Sequence, residues 1–443
     1  MRTEKSHSCD STRNRFLRSL TTLLSGSVVS QLIVLISYPL VTRLFCPADF
    51  AIFNIFYSYI EVLIILSTCK YEVALPVATD SREAHVIYHT ALRYNTIFCL
   101  ILLTLIALLL LFDAMPGETR SLGVIALMIP PMVFFCGTTR VYTFLFNRHK
   151  QYGPIATSDI VNAASGSGLK IGMGLLAPFA TLFAKIGLPL ATLLGQAAAN
   201  INYIVRLKKE RKRLGGEGSG AVEKICSAEK KAIIRRYRNY PRFVMPKDFL
   251  NSISYNLPFI WLAIYFEKPE VGLFALALTF TFKPVNIINN AMERIFYPDV
   301  AERVAQKQSI GALLYRFFVR LNLLALPLFV IGFIFAEPLF GFCFGGRWAG
   351  CGRYVQVLLP WTFVSLTSTS LSFVCNVFGT QRKEFRFYLM LLILRVGAVV
   401  LGIVQGSFFL GIALFAAAGA IVSVALLLWY ILQIRRYETN IRA

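Results

Sequence analysis

Charged side chains that lie inside long apolar runs are the strongest indication of a functional site in this chain. The segment TFTFKPVNIINN holds Lys283, followed directly by Pro284, in the middle of such a run. Lys170, Asp159 and Arg395 occupy similar positions in other runs. A charge inside a bilayer is costly, so such residues usually face a bundle interior or a water-filled path. Cations in that position can replace the water around a concentrated anion.

The apolar runs themselves indicate a protein that crosses a membrane many times. Of its 443 residues, 56% are hydrophobic and 15% are charged, against about 25% charged residues in soluble domains. A helix that crosses a bilayer needs roughly 20 mostly apolar residues. We therefore predict an all-α polytopic membrane protein of about twelve spans: 20–42, 49–69, 86–112, 121–146, 155–180, 186–206, 243–266, 271–292, 311–336, 354–378, 386–404 and 407–432.

The distribution of Lys and Arg predicts the orientation of these spans. With a cytoplasmic N-terminus, 31 of the 45 basic residues fall in cytoplasmic segments and six fall in outside loops. Cytoplasmic loops carry the excess of Lys and Arg in membrane proteins, so both termini are expected in the cytoplasm. The net charge of +22 then indicates contact with anionic lipid headgroups, and no nucleic-acid partner is expected.

A weak internal repeat divides the chain into two halves. Pro47 and Pro269 lie 222 residues apart, and so do Pro76 and Pro298. We predict an N-lobe at 1–206 with spans one to six, a basic cytoplasmic linker at 207–240, and a C-lobe at 241–443 with spans seven to twelve. Because each half has an even number of spans, the halves are expected to be parallel repeats, an arrangement found in secondary transporters.

Several segments resemble one family of membrane proteins. The opening GSVVSQLIVLISYPLVTRLFCPADFAIFNIF and the following KYEVALPVA resemble the start of Wzx-type O-antigen and polysaccharide flippases, in the MOP (multidrug/oligosaccharidyl-lipid/polysaccharide) exporter superfamily. RYRNYPRFVMPKDFLNSISYNLPF resembles the start of the second half of that family. NRHKQYGPIATSD and TQRKEFRFYLM resemble its basic cytoplasmic turns.

The resemblance implies a fold, a location and a cargo. It implies two six-helix lobes in a V, alternating access and a cationic central cavity in a bacterial inner membrane. The implied cargo is a polyprenyl-pyrophosphate-linked sugar that moves from the cytoplasmic to the periplasmic leaflet. A polysaccharide polymerase and a chain-length regulator are the expected protein partners, and no cofactor or metal is expected.

Four cations within spans are the candidate ligands of the pyrophosphate. Lys283 and Arg395 come first because they lie deepest, and Lys170 and Arg320 come next. The simpler alternatives stay open: Arg320 lies near enough to the cytoplasm to reach the interface, and Lys170 can pair with an acid of another helix.

Two acids within spans are candidate partners of these cations. Glu61 aligns with Lys283 in the 222-residue repeat, and Asp159 shares a helix face with Lys170. Either acid can be a structural partner, or it can be a proton or sodium site that couples transport to an ion gradient.

Other motifs favour structural explanations. His85 and His89 are four residues apart, but no third metal ligand stands near them. SGSGLKIGMG lies inside a span and indicates close helix packing or a bend rather than a phosphate loop. Cys343 and Cys351 flank one loop, and spacing alone does not decide whether they form a disulfide.

Three other classes of function compete with a flippase. A small-molecule or multidrug exporter of the same superfamily is expected to use acids to hold cations, whereas cations outnumber acids within these spans. A membrane enzyme usually carries catalytic side chains on a substantial loop, and every predicted outside loop is short and lacks His. A purely structural protein has little reason to bury so many charges.

Overall fold

The computed structural model describes residues 26–78, 80–114, 122–149, 151–176, 181–213 and 226–442. Every regular element in these residues is a helix, so the predicted all-α class is confirmed. The helices are α1 Gly26–Leu44, α2 Pro47–Ser67, α3 Ser81–Leu111, α4 Ile129–Arg148, α5 Tyr152–Leu176, α6 Thr181–Arg213, α7 Ser227–Arg236, α8 Met245–Leu257, α9 Lys268–Ala305, α10 Gly311–Phe344, α11 Cys351–Ser368, α12 Phe373–Phe378, α13 Gln381–Val404 and α14 Phe408–Arg442.

Nine helical segments within the described residues are long and apolar enough to cross a membrane. They coincide with nine of the twelve predicted spans. The other three predicted spans fall on α5, on α6, which ends in a basic tail, and on α8, which is followed by a π-helical turn at Pro258–Leu262. The first predicted span begins at residue 20, and residues 20–25 lie outside the described part of the chain.

The described residues form two compact units. The first comprises the residues up to Phe45 together with Phe56–Phe249, and the second comprises Cys46–Ile55 together with Leu250–Ala443. The start of α2 packs within the second unit through a very close backbone contact. A Cβ added to Gly272 would lie 1.8 Å from the carbonyl oxygen of Pro47, so only glycine fits there.

The predicted linker at 207–240 is helical at both ends. α6 continues to Arg213, and α7 occupies Ser227–Arg236, while residues 214–225 lie outside the described part of the chain. Ile233 of α7 is buried in the first unit, and Arg236 forms an ion pair with Glu83 of α3. Within the predicted linker, α7 is therefore held against the first unit by one apolar residue and one charge pair.

Proline has different effects in two long helices. α9 runs through Pro284 as one helix, although proline removes a backbone donor there. α10 is bent at Phe335, whose φ of −104° and ψ of 15° are not helical, and this residue lies between Pro327 and Pro338. A break in helical geometry is thus found beside the prolines of α10 and not at Pro284 of α9.

Candidate functional site

Arg395 lies in the interior of the second unit, enclosed by aromatic rings. Its side chain, on α13, is 2% exposed. The guanidinium carbon lies 4.3 Å from the ring centroid of Phe415 and 4.7 Å from that of Trp361. Its Nη1 donates a hydrogen bond of 3.3 Å to Ser254 Oγ. Stacking on aromatic faces is a geometry that suits the planar, delocalised guanidinium.

The sequence of α14 explains how two aromatic rings reach this cation. Phe415 and Gly419 are four residues apart, so they lie on one face of the helix. A Cβ added to Gly419 would lie 2.5 Å from the indole of Trp361. The missing side chain at Gly419 therefore makes the space into which Trp361 packs, next to Phe415 and over Arg395.

The same aromatic cluster reaches the helix of Lys283. The ring of Phe282 lies 4.4 Å from that of Trp361 and 6.2 Å from that of Tyr255. Lys283 is the next residue of α9 and is half-buried. The two cations that rank first in the sequence therefore lie in one unit, on helices that both contribute to or contact the same aromatic cluster.

The electrostatics of Arg395 are unusual for a membrane-buried charge. Within the described residues its Nε is buried and has no hydrogen-bond partner. An unpaired buried charge costs several kcal/mol by general estimates, and each desolvated cation–π contact returns about 2 kcal/mol. The arrangement can keep a positive charge in place, with one buried N–H donor that no protein group of the described residues uses.

The first unit holds the other candidates. Lys170 and Asp159 are both half-buried on α5, and the Asp159 carboxylate acts electrostatically on the Tyr203 hydroxyl. Glu61 of α2 is hydrogen-bonded to Tyr57, with Arg140 of α4 in the same electrostatic cluster. The structure thus gives each acid a tyrosine neighbour.

Arg320 and Glu61 are the two candidates whose predicted roles the contacts do not test. Arg320 is exposed on the surface of α10 in the second unit. Glu61 was predicted as a charge partner because it aligns with Lys283 in the repeat. This stays a prediction, since the two residues belong to different units.

The first unit also contains a polar network of uncharged side chains, which the pattern of charges in the sequence does not indicate. Asn200 Nδ2 donates to Thr139 Oγ1 at 3.0 Å and to the Phe135 carbonyl at 3.0 Å. Gln196 Nε2 donates to the same Thr139 hydroxyl at 2.7 Å, and Asn162 Nδ2 donates to Gln196 Oε1 at 2.8 Å. Amide side chains inside apolar runs are the signal that identifies such a network.

The remaining motifs have structural roles. Cys343 and Cys351 both carry free thiols, so no disulfide joins them. The His85 and His89 rings lie 4.3 Å apart, and no group of three metal ligands occurs in the described residues. A Cβ added to Gly195 would lie 2.8 Å from the Cα of Gly166, which confirms the close packing predicted for the glycine-rich segment of α5.

Comparisons with known proteins fit this architecture. Residues 224–353 match a family described as polysaccharide biosynthesis protein. Among solved structures, an inward-facing MATE-family multidrug resistance transporter of the MOP superfamily is 15% identical, with a TM-score of 0.67 over 95% of this chain and 99% of that one. The lipid II flippase MurJ, in an inward closed conformation, is 12% identical, with a TM-score of 0.69 over 94% of this chain and 90% of that one.

The chain has the MOP-superfamily fold. This confirms the fold that the sequence motifs implied. A MOP transporter from Pyrococcus furiosus Vc1, whose binding pocket is described as having reverse polarity, is 15% identical with a TM-score of 0.56 and covers 96% of both chains. No curated protein sequence matches the chain.

Proposed function

We propose that this protein is a flippase for a polyprenyl-pyrophosphate-linked oligosaccharide, such as an O-antigen, capsule or exopolysaccharide repeat unit. It moves this cargo from the cytoplasmic to the periplasmic leaflet of a bacterial inner membrane by alternating access, without enzymatic chemistry on the cargo. The observation that carries the proposal is that a match to a polysaccharide biosynthesis family falls within a chain of transporter fold. The fold shared with a lipid II flippase supports the same class of cargo.

The charges within the spans support an anionic cargo. A pyrophosphate loses its water when it enters the membrane, and Lys or Arg side chains can replace that water with charge-assisted hydrogen bonds. In this proposal Lys283 is the first contact, because it is half-buried on a long helix rather than fully enclosed. Arg395 supplies positive charge from behind its aromatic cluster, and Lys170 and Arg320 have secondary roles.

The acids and the location complete the proposal. Glu61 and Asp159 act either as charge partners of the cations or as sites for a coupling proton or sodium ion. Both termini and the 207–240 segment lie in the cytoplasm, beside anionic lipid headgroups. A polysaccharide polymerase and a chain-length regulator act on the cargo after it has crossed.

A multidrug exporter is the second candidate, because MATE transporters share the fold. Such a protein exports cationic compounds and is expected to hold them with acids. The enclosed cation in the second unit favours the anionic cargo instead.

The test is genetic complementation with two readouts. The wild-type gene should restore surface polysaccharide to a strain that lacks its flippase, with protein levels checked by immunoblot. The same plasmid should leave the susceptibility of a drug-sensitive strain unchanged. Restored drug resistance without surface polysaccharide would overturn the proposal in favour of the exporter.

A further inference from the structure

The second unit contains a long groove, and none of the four candidate cations lines it. It encloses about 1150 Å³ and is walled by α10 and α14. Both helices pack along α11, which forms the floor, while they make few contacts with each other. The groove is therefore a gap between two helices that share one neighbour.

The body of the groove is apolar. Leu323 and Val319 line it from α10, Phe363 from α11 and Val424 from α14. The amide of Asn322 also lines it, but its Nδ2 donates to Thr367 Oγ1 at 2.6 Å and to the Phe318 carbonyl at 2.7 Å. Since that donor is already used, the body favours hydrocarbon over a polar ligand.

One end of the groove is polar and closed. The carboxylate of Glu438 on α14 accepts hydrogen bonds from the backbone N–H groups of Ile310 and Gly311, both at 2.8 Å, and from Ser309 Oγ. This contact joins the end of α14 to the start of α10. Arg435 lines the groove three residues before Glu438; it is exposed and has no ion-pair partner within the described residues. The carboxylate is occupied, so the available charge at this end is positive.

The length of the groove matches one leaflet. The lining residues of α10 run from Gly311 to Leu326, which is about 22 Å at 1.5 Å per residue. A bilayer with its headgroups is about 40–45 Å thick, so one leaflet is about 20–22 Å. A groove with an apolar body, a cationic end and the length of a leaflet has the dimensions of a bilayer lipid.

We propose that this groove binds one phospholipid with an anionic headgroup. Its acyl chains lie against Leu323 and Phe363, and its phosphate pairs with Arg435. Charge complementarity selects an anionic over a zwitterionic headgroup, because juxtamembrane Arg and Lys side chains are attracted to anionic lipid. This inference does not depend on the cargo of the transporter.

Native mass spectrometry of the delipidated, purified full chain tests the proposal. The protein is titrated with phosphatidylglycerol or with phosphatidylethanolamine of the same acyl chains. We expect one phosphatidylglycerol to be retained at several-fold lower concentration than phosphatidylethanolamine. The Arg435→Glu variant should lose this preference.

Two neighbouring residues supply matched controls. Arg436 is exposed on the same helix but does not line the groove, so Arg436→Glu should keep the preference. Leu323→Trp should obstruct the apolar body and reduce retention of both lipids. Leu324 is an exposed neighbour outside the groove, so Leu324→Trp should leave the retention of both lipids unchanged. Thermal unfolding and gel filtration of each variant establish that it is folded.

Three results would overturn the proposal. The first is equal retention of the two phospholipids by the wild-type protein. The second is an equal loss of preference in both arginine variants. The third is displacement of phosphatidylglycerol by undecaprenyl phosphate at a lower concentration, which would assign the groove to a polyprenyl chain instead.

Discussion

The two units of the protein are stabilised inside by different chemistry. In the first unit, buried amides and hydroxyls bond across helices, as Asn200 does to Thr139 and Asn95 does to the Phe134 carbonyl. In the second unit, rings pack against rings, as Phe282 does against Trp361 and Phe274 against Phe259. Both units contain both kinds of contact, but among the described residues amide hydrogen bonds between helices are more frequent in the first unit and ring contacts are more frequent in the second.

The difference explains where a charge can be enclosed. Helices in a bilayer gain little from the hydrophobic effect, so they associate through close packing and interhelical hydrogen bonds. A hydrogen-bonded interior uses its donors and acceptors internally. An aromatic interior presents ring faces instead, and these stabilise a cation without consuming its donors. Arg395 is accordingly enclosed in the second unit, while Lys170 in the first is half-buried.

The largest effect on transport is expected from Lys283 of the second unit, compared with Lys170 of the first. Lys283→Ala should reduce surface polysaccharide about tenfold or more, because a charged hydrogen bond contributes roughly 1.5–3 kcal/mol. Lys283→Arg should keep partial function, since the charge remains, and Lys170→Ala should be milder. Complementation with immunoblot control measures all three. Normal polysaccharide from well-expressed Lys283→Ala would show that this lysine serves helix packing.

Arg395→Met separates anion binding from packing within the second unit. Methionine removes the desolvation cost of the buried charge and keeps an apolar side chain of similar length, so the thermal midpoint should hold. Surface polysaccharide should nevertheless fall several-fold, because the positive charge is gone. A stable variant with full function would show that Arg395 has no role in transport.

Trp361→Ala tests the aromatic interior. The change removes the contacts with Phe282, Phe415 and Arg395, and truncation of a buried aromatic residue costs about 3–5 kcal/mol. We expect a clear fall in the thermal midpoint of the purified protein. The matched surface control is Trp261→Ala, because Trp261 is 38% exposed and should change the midpoint much less.

Asn200→Leu tests the hydrogen-bonded interior and should have a smaller effect. Interhelical hydrogen bonds in membrane proteins contribute about 0.6 kcal/mol on average, and at most about 1.7. The midpoint should therefore fall by less than in Trp361→Ala. A larger fall would reverse the comparison and assign the greater stability to the polar network.

Pro284→Ala should have the smallest effect of the set. α9 is already one helix through this position, so alanine restores a backbone donor without changing the path of the chain. We expect near-normal surface polysaccharide and an unchanged or slightly raised thermal midpoint. Loss of function comparable to Lys283→Ala would show that the helix must break there during transport.

The amino-acid sequence by itself determined the class of the fold and the chemistry available to it. Apolar runs of span length dictate membrane helices, because backbone groups in lipid must bond internally. The charges inside those runs, such as Lys283 and Arg395, were evident because lipid makes them costly. The packing of the glycine-rich α5 segment was predictable for the same local reason, since small residues allow helices to approach.

Only the tertiary structure decided the surroundings of those charges. Depth along a helix is set by position in the sequence, but the face of the helix and its neighbours depend on contacts between residues far apart. Arg395 meets Ser254, Trp361 and Phe415 from three other helices, at separations that no local pattern encodes. The helix of Lys283 also continues through Pro284 as one helix, while α10 bends at Phe335. Packing overrides local propensity at Pro284, because each turn must fit the neighbours that only the folded chain supplies, whereas in α10 the bend lies beside Pro338, as proline itself favours.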